Sequence, residues 1–269
     1  MIVIGEKING SRKRVRKALI ERELAFLQKL CREQDAAGAD YIDVNVGTGD
    51  ENIAGEVSLM IWLVRGLEDV TNKPLCIDSS HPEVIQAGVE ACTHAVPMIN
   101  SVNGSVSKMD AIFPTAAKYG TLIIALPINE QGIPKLPRDR VQMCKHICER
   151  ASEFGIPAER FFFDPLVVPL STGEKQGEIT LDTIAALKTM LDGVKTVVGL
   201  SNISFGLPHR SLINRAFLAM ATGVGLDAVI LNANDKKLIS QLKAAELVAG
   251  RDRRCRRYIR AHNDGLLID

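Results

Sequence analysis

LCIDSSHPEVIQAGVEACTHAVPMIN, residues 75–100, contains the unit from which the fold follows. A short apolar run ends at Asp78. Ser80, Pro82 and Glu83 then read as a helix start, with proline in the first turn and an acid near the positive end of the helix dipole. A second apolar run ends at Asn100. Outward from this segment the same event recurs. IVIGEKIN ends at Asn9, YIDVN at Asn45, LIIALPIN at Asn129, FFFD at Asp164, VVGLSN at Asn202 and AVILN at Asn232. Each run is followed by a stretch with helical period. Strands alternating with helices imply a parallel sheet. The count of eight favours a closed (β/α)8 barrel over an open doubly wound sheet. The polar residues then form a ring at the carboxyl ends of the strands, where such barrels keep their chemistry.

Size fits this reading. The 269 residues allow about 34 per strand–helix unit, and barrels of roughly 250 residues are common single domains. The expected organisation is one barrel domain over residues 1–269, with 251–269 as a basic C-terminal extension. Hydrophobic content of 46% supplies a core without staples. A formal net charge of +1 gives no global attraction to nucleic acid or an anionic membrane. No apolar run approaches the ~20 residues needed to cross a bilayer. MIVIGEKING lacks a basic start and a cleavage site, and reads as a first strand rather than a signal peptide. Six cysteines without a CxxC pair suggest reduced thiols and a cytoplasmic protein.

Helix signals fill the gaps between runs. Residues 12–37 carry Leu19, Ile20, Phe26, Leu27, Leu30 and Cys31, and Met60, Ile61, Val64 and Leu67 form a helical stripe. Ser107 and Asp110 resemble a capping pair, and Pro114 is expected to kink or shorten that helix. Val141, Cys144, Cys148 and Ala151 form a further stripe, closed by Gly155 and Pro157. Asp235 is placed to cap a helix that ends near Gly250. Two long connections, 129–139 and 165–178, follow strand ends and so overhang the barrel mouth, where long loops serve binding.

The candidate chemistry lies in the ring. Asp78 and Asp164 are carboxylates delivered from the ends of apolar strands. Two rigid acceptors facing a mouth suit adjacent N–H groups on a heterocycle. Asn100 and Asn202 supply amides, which donate and accept without carrying charge. The competing role of each is a helix cap or an Asx turn. Rich in neutral amides and poor in His, Lys and Cys, the ring fits a flat, nitrogen-rich, uncharged ligand. The five histidines are scattered and no Cys/His cluster appears, so no metal site is expected. No GxSxG, GxGxxG or GxxxxGK[ST] motif is present.

With these residues in place, the chain resembles the methyltetrahydrofolate:corrinoid-protein methyltransferases. This is a pterin-binding barrel group that also holds dihydropteroate synthase and the folate module of cobalamin-dependent methionine synthase. The matching segments are IGEKING at 4–10, DVNVG at 43–47, LCIDSS at 75–80, MINSVN at 98–103, GIPK at 132–135, DPLVVP at 164–169, GLSNIS at 199–204 and SLINRAFLAMA at 211–221. They span nearly the whole chain in order. The resemblance implies a pterin-binding (β/α)8 barrel, a homodimer, and a pterin held by Asp78, Asn100 and Asp164. It places Asn202 near N5, with Gly199 and Ser201 shaping the pocket floor. Glu6, Asn9, Asp43 and Asn45 carry over as pocket lining, and Arg210 as a contact to the folate tail or a partner.

The implied reaction moves a methyl group between N5 of methyltetrahydrofolate and the cobalt of a corrinoid. The chain lacks the DxHxxG signature that holds a cobalamin, so the corrinoid arrives on a separate protein. Asn202 is the expected catalytic residue, strengthening its hydrogen bond as N5 gains a proton. Either direction is chemically open. Two departures from the family pattern, FGLPHRS at 205–211 and the tail RDRRCRRYIRAHNDGLLID at 251–269, tilt the reading toward methyl capture by tetrahydrofolate. They also leave the identity of the corrinoid protein open. The Arg-rich tail reads first as a solvated helix end, and second as a dock for an acidic corrinoid partner. The alternatives are a non-catalytic folate-binding subunit and, with less support from the first loop EKINGSRK, dihydropteroate synthase.

Overall fold

A computed structural model describes residues 1–49 and 52–268. Every predicted run forms a strand: β1 (Ile2–Asn9), β2 (Tyr41–Asn45), β3 (Leu75–Asp78), β4 (Met98–Asn103), β5 (Leu122–Leu126), β6 (Phe161–Phe163), β7 (Lys195–Gly199) and β8 (Ala228–Leu231). All pair in parallel with their sequence neighbours, and β8 returns to β1, closing an eight-stranded barrel. Around it run α1 (Lys13–Ile20), α2 (Leu24–Ala36), α3 (Ile53–Glu68), α4 (Pro82–Ala91), α5 (Val106–Tyr119), α6 (Pro137–Ser152), α7 (Gln176–Met190), α8 (Arg210–Gly223), α9 (Lys236–Val248) and α10 (Arg256–Asn263).

The barrel interior explains why the polar residues converge. Ile4, Cys76, Met98, Ile124, Phe162, Val197 and Ala228 form an apolar cluster of their own, separate from the larger core between strands and helices. Side chains alternate along a strand with period 2. Two residues beyond this plug come Glu6, Asp78, Asn100, Asp164 and Gly199. The polar ring therefore stands directly on an apolar floor, and its depth is set by strand register.

Several boundaries differ from expectation. β5 stops at Leu126 rather than Asn129, because Pro127 has no N–H to continue the ladder. Asn129 instead forms an isolated bridge with Gly132. β7 stops at Gly199, and Asn202 lies in a 3-10 turn, Leu200–Ser204. β4 continues past Asn100 to Asn103. Asp164 and Asn232 each follow the last residue of their strands.

Among the helices, the segment 12–37 divides into α1 and α2 around Arg22, whose φ of 55° breaks the helix. The helix at 82 starts with Pro82 in its first turn and is preceded by His81, not Ser80. Ser105, not Ser107, precedes α5, and neither it nor His81 makes a side-chain cap. That helix runs through Pro114 to Tyr119, held by burial of Met109, Ile112, Phe113 and Ala116. Asp235 caps α9 by accepting the Leu238 N–H at 3.1 Å, and Gly250 follows its end with φ 71°.

The tail after α9 lies at the amino end of the barrel. The Arg251 guanidinium donates to the Leu226 carbonyl, which precedes β8. The Asp252 carboxylate accepts the Arg257 and Tyr258 N–H groups at 3.0 and 2.8 Å. The segment then runs back along α9, where the Ile268 N–H meets Ser240 Oγ at 2.9 Å. Asp269 lies outside the described residues. The Arg-rich stretch thus begins at the end opposite the polar ring.

Candidate functional site

Two groups of side chains make up the ring. The first comes from β2, β3 and β4, where register pairs Asn45 with Asp78 and Asp78 with Asn100. Asn45 Nδ2 donates to Asp78 Oδ2 at 3.0 Å. Asn100 Nδ2 donates to Asp43 Oδ1 at 3.1 Å. Asp43 pairs in register with Cys76 and so sits in the apolar layer, 2% exposed. Burial, and the neighbouring Asp78 charge, push its carboxyl well above the usual carboxylate range, against hydrogen bonds from Asn100 and the Cys76 thiol. Burial also raises Asp78 to about 6, with the Asn45 bond pulling the other way.

The second group comes from β6, β7 and the turn that follows. Asp164 Oδ1 accepts the Leu166 N–H at 2.8 Å. Burial raises this carboxyl to about 6, opposed by the Leu166 and Gly199 N–H groups and the charge of Arg140. A Cβ built on Gly199 would lie 3.2 Å from Asn202 Nδ2, so the Asn202 amide folds back over Gly199. Arg210 braces this turn. Its Nη2 donates to the Ser201 carbonyl at 2.6 Å and its Nε to Ser204 Oγ at 3.0 Å.

Glu6 lies between the two groups. Burial raises its carboxyl, and Arg12, bonded to it at 2.8 Å, opposes that rise. Asn9, at the end of β1, accepts the Ser11 N–H through Oδ1 at 2.9 Å. A cleft of about 440 Å³ opens beside Glu6, lined also by Arg12, Ser201, Arg210 and Asp235.

Sequence patterns do not single out Arg140. It is 2% exposed. Its guanidinium donates to the carbonyls of Pro134 at 2.9 Å, Pro165 at 2.5 Å and Leu166 at 3.0 Å. One side chain thus ties together the two long mouth loops and stands beside Asp164. The only hint in the sequence is a charged residue directly before the apolar stripe that begins at Val141.

In chemical terms the ring offers carboxylates of elevated pKa, fixed amides and backbone donors above a dry floor. That set can satisfy the N–H and carbonyl edges of a flat heterocycle without requiring it to be charged. Among the described residues, no group of three or more His, Cys, Asp or Glu is placed to hold a metal ion. Among them, too, no helix is long and apolar enough to cross a membrane.

Comparison with known proteins agrees with this chemistry. Residues 8–232 match the family model described as pterin binding enzyme. Over 267 residues the chain is 33% identical to the methylcorrinoid:tetrahydrofolate methyltransferase of Eubacterium limosum, covering 98% of this chain and 97% of that one. It is 30% identical over 265 residues to the methionine synthase of Mycobacterium leprae (strain TN), covering 94% of this chain but only 22% of that protein. Dihydropteroate synthase of Yersinia pestis shares the fold, with a TM-score of 0.65 at 18% identity over 93% of each chain.

Proposed function

The chain belongs to the pterin binding enzyme family, and from that premise we propose that it is a methyltransferase acting between N5 of tetrahydrofolate and the cobalt of a corrinoid carried by a separate protein. The observation that carries this reading is the ring of Asp78, Asn100 and Asp164 on its apolar floor, with the Asn202 amide folded over Gly199 beside it. The near full-length likeness to a methylcorrinoid:tetrahydrofolate methyltransferase supports the same conclusion and favours methyl capture by tetrahydrofolate.

In this reading the ionised forms of Asp78 and Asp164 accept N–H groups of the pterin, and Asn100 supplies a neutral amide. Gly199 and Ser201 form the wall beneath Asn202. Glu6, Asp43, Asn45 and Arg210 complete the lining. The pterin is thereby held with N5 toward the mouth, where a second reactant can approach in line.

During capture, the N5 lone pair takes the methyl carbon, the cobalt–carbon electron pair stays with the metal, and N5 sheds its proton. In the opposite direction N5 recovers a proton as its bond to the methyl carbon breaks. Asn202 stabilises the changing protonation of N5 by a hydrogen bond that strengthens in the transition state, and it is not itself the acid.

The partner is proposed to dock over the mouth. Exposed Ile133 and Leu136 in the β5–α6 loop, together with Phe205 after β7, give that rim an apolar character that supports docking. We read the protein as a homodimer, supported by the exposed stripe of Leu212, Ala216 and Met220 along α8. We place it in the cytoplasm, where its six free thiols persist. Residues 251–269 are read as a C-terminal extension of the barrel, with 251–268 packed against α9.

The test mixes the purified protein with methylcobalamin and tetrahydrofolate, and separately with methyltetrahydrofolate and reduced cobalamin, while the cobalt(I) absorbance is followed. Enzyme-dependent conversion is expected in both directions. Folate binding without conversion, with a corrinoid protein as well as free cobalamin, would identify a non-catalytic binding subunit instead.

A further inference from the structure

We propose that Asn45 is a positioning residue: held by the Gly47 N–H, its amide fixes Asp78 as a hydrogen-bond acceptor for the pterin. This rests on the pterin-binding reading of the ring. It assigns Asn45 a task that lining a pocket does not require.

The orientation of an asparagine amide is normally ambiguous, because its oxygen and nitrogen are similar in shape. Here it is not. A backbone N–H can only donate, and the Gly47 N–H lies 2.9 Å from Asn45 Oδ1. The oxygen of the amide must therefore face Gly47, and the NH2 group must face Asp78, where Nδ2 lies 3.0 Å from Oδ2. The bond to Asp78 is thus directional. Asp78 Oδ2 must accept, and Oδ1 is left for a ligand.

The turn that carries this amide is itself braced. The Gly10 N–H donates to the Asn45 carbonyl at 2.9 Å. A Cβ on Gly10 would fall on the Gly47 carbonyl, so β1 presses closely against residues 45–47. A Cβ on Gly47 would lie 3.2 Å from Asn45 Oδ1. The glycines of EKING and DVNVG let two strand ends approach closely enough to lock one amide.

The need for such a lock follows from the neighbours of Asp78. The Asp43 carboxyl on β2 lies beside it, its own pKa pushed well up by burial, with Glu6 on β1 beyond Asp43. Cys76 lies one layer below on β3, and β4 contributes the neutral Asn100. Burial in this dry surrounding favours the protonated carboxyl. The hydrogen bond from Asn45 opposes that tendency. Asp164 takes its bonds from Leu166 and Gly199 and makes none with Asn45, so it provides an internal reference.

The experiment measures tetrahydrofolate affinity by calorimetry from pH 5 to 8 for the full chain, for Asn45→Ala and for Asn45→Asp. The aspartate variant is nearly isosteric and keeps an oxygen for the Gly47 N–H, yet turns the donor facing Asp78 into an acceptor. The wild-type protein should lose affinity below about pH 6 as its carboxylates take up protons. In Asn45→Ala the limb due to Asp78 should move up by about one pH unit, with affinity reduced roughly twofold at pH 7 and approaching tenfold near pH 5. In Asn45→Asp it should move further. The limb due to Asp164 should stay in place. Folate binding by the wild type together with unmoved limbs in both variants would overturn the role of Asn45 alone. No folate binding by the wild type at any pH would overturn the pterin reading and this proposal with it.

Discussion

The Gly199 N–H lies close enough to the Asp164 carboxylate to oppose the rise of its pKa, so the residue that ends β7 is coupled to the acid that follows β6. Because Asn202 folds over the same glycine, the proposed pterin acceptor and the proposed N5 contact share one backbone unit. The Asn202 side chain is nonetheless exposed and contributes little to the core. Asn202→Ala is predicted to leave the melting temperature within about 2 °C. Methyl transfer should fall by roughly 10²–10³, the cost of losing one donor aligned with a transition state. Steady-state assays with methylcobalamin and tetrahydrofolate, set beside a thermal melt, check both halves. Unchanged turnover would remove Asn202 from the chemistry.

Asp78 is a liability to the folded state that the proposed function explains. Its pKa is about 6 in the fold, against an ordinary value of 3.8. Between these values the native state holds a proton that the unfolded chain has released. The associated stability is present at low pH and is lost as pH rises through 6. Above that, the ionised group costs about 3 kcal/mol, at roughly 1.4 kcal/mol per unit. An asparagine side chain in its place would keep an oxygen for the Asn45 donor and carry no charge. Asp78→Asn is therefore predicted to raise the melting temperature by a few degrees at pH 7.5, by roughly half as much at pH 5 and by little below about pH 4, while folate affinity falls. A variant less stable than wild type at pH 7.5 would contradict this assignment.

The barrel is legible in the sequence because each strand end carries the same signature, an apolar run closed by Asn or Asp. Residues such as Asp78 and Asn100 can be placed in one ring because strand period 2 fixes which side chains enter a barrel. Strand ends depart from that signature where local chemistry intervenes: Pro127 cuts β5 short, and the 3-10 turn after Gly199 carries Asn202 beyond β7. The break at Arg22 has no glycine or proline to announce it. The task of Arg140 is hidden because its three carbonyl partners lie in two loops far apart in sequence. The anchoring of the Arg-rich tail depends on Leu226 and Glu246, which no reading of residues 251–269 alone reveals.

Arg140 separates charge from shape in a testable way. Arg140→Met would leave the Pro134, Pro165 and Leu166 carbonyls without their donor and deprive Asp164 of a nearby positive charge. A loss of about 2–4 kcal/mol is expected, with the acid limb of folate binding due to Asp164 moving up in pH. Arg140→Lys keeps the charge but cannot span three acceptors. It should lose stability while leaving that limb nearly in place. Denaturant melts and binding measured across pH distinguish the two effects. Equal limb shifts in both variants would show that loop geometry, not charge, governs Asp164.

The Arg-rich tail yields the opposite kind of prediction. Arg251 is held by the Leu226 carbonyl, and Arg257 by the Arg251 carbonyl at 2.5 Å and Glu246 at 3.4 Å. These anchors fix the stretch at the amino end of the barrel. A five-residue strand alone sets that end roughly 15 Å from the ring, before the loops at the mouth are added. Charges so far from a docking site are largely screened at physiological salt, where the Debye length is about 8 Å. Exposed Arg253, Arg254, Arg256 and Arg260 should therefore tolerate reversal to glutamate, with methyl transfer changing less than about twofold for free and protein-bound corrinoid alike. Arg257→Ala should instead cost stability, because it releases the buried Glu246 and the start of α10. Slower transfer only with the protein-bound corrinoid after reversal would return the tail to the docking surface and require the partner to reach around the barrel wall.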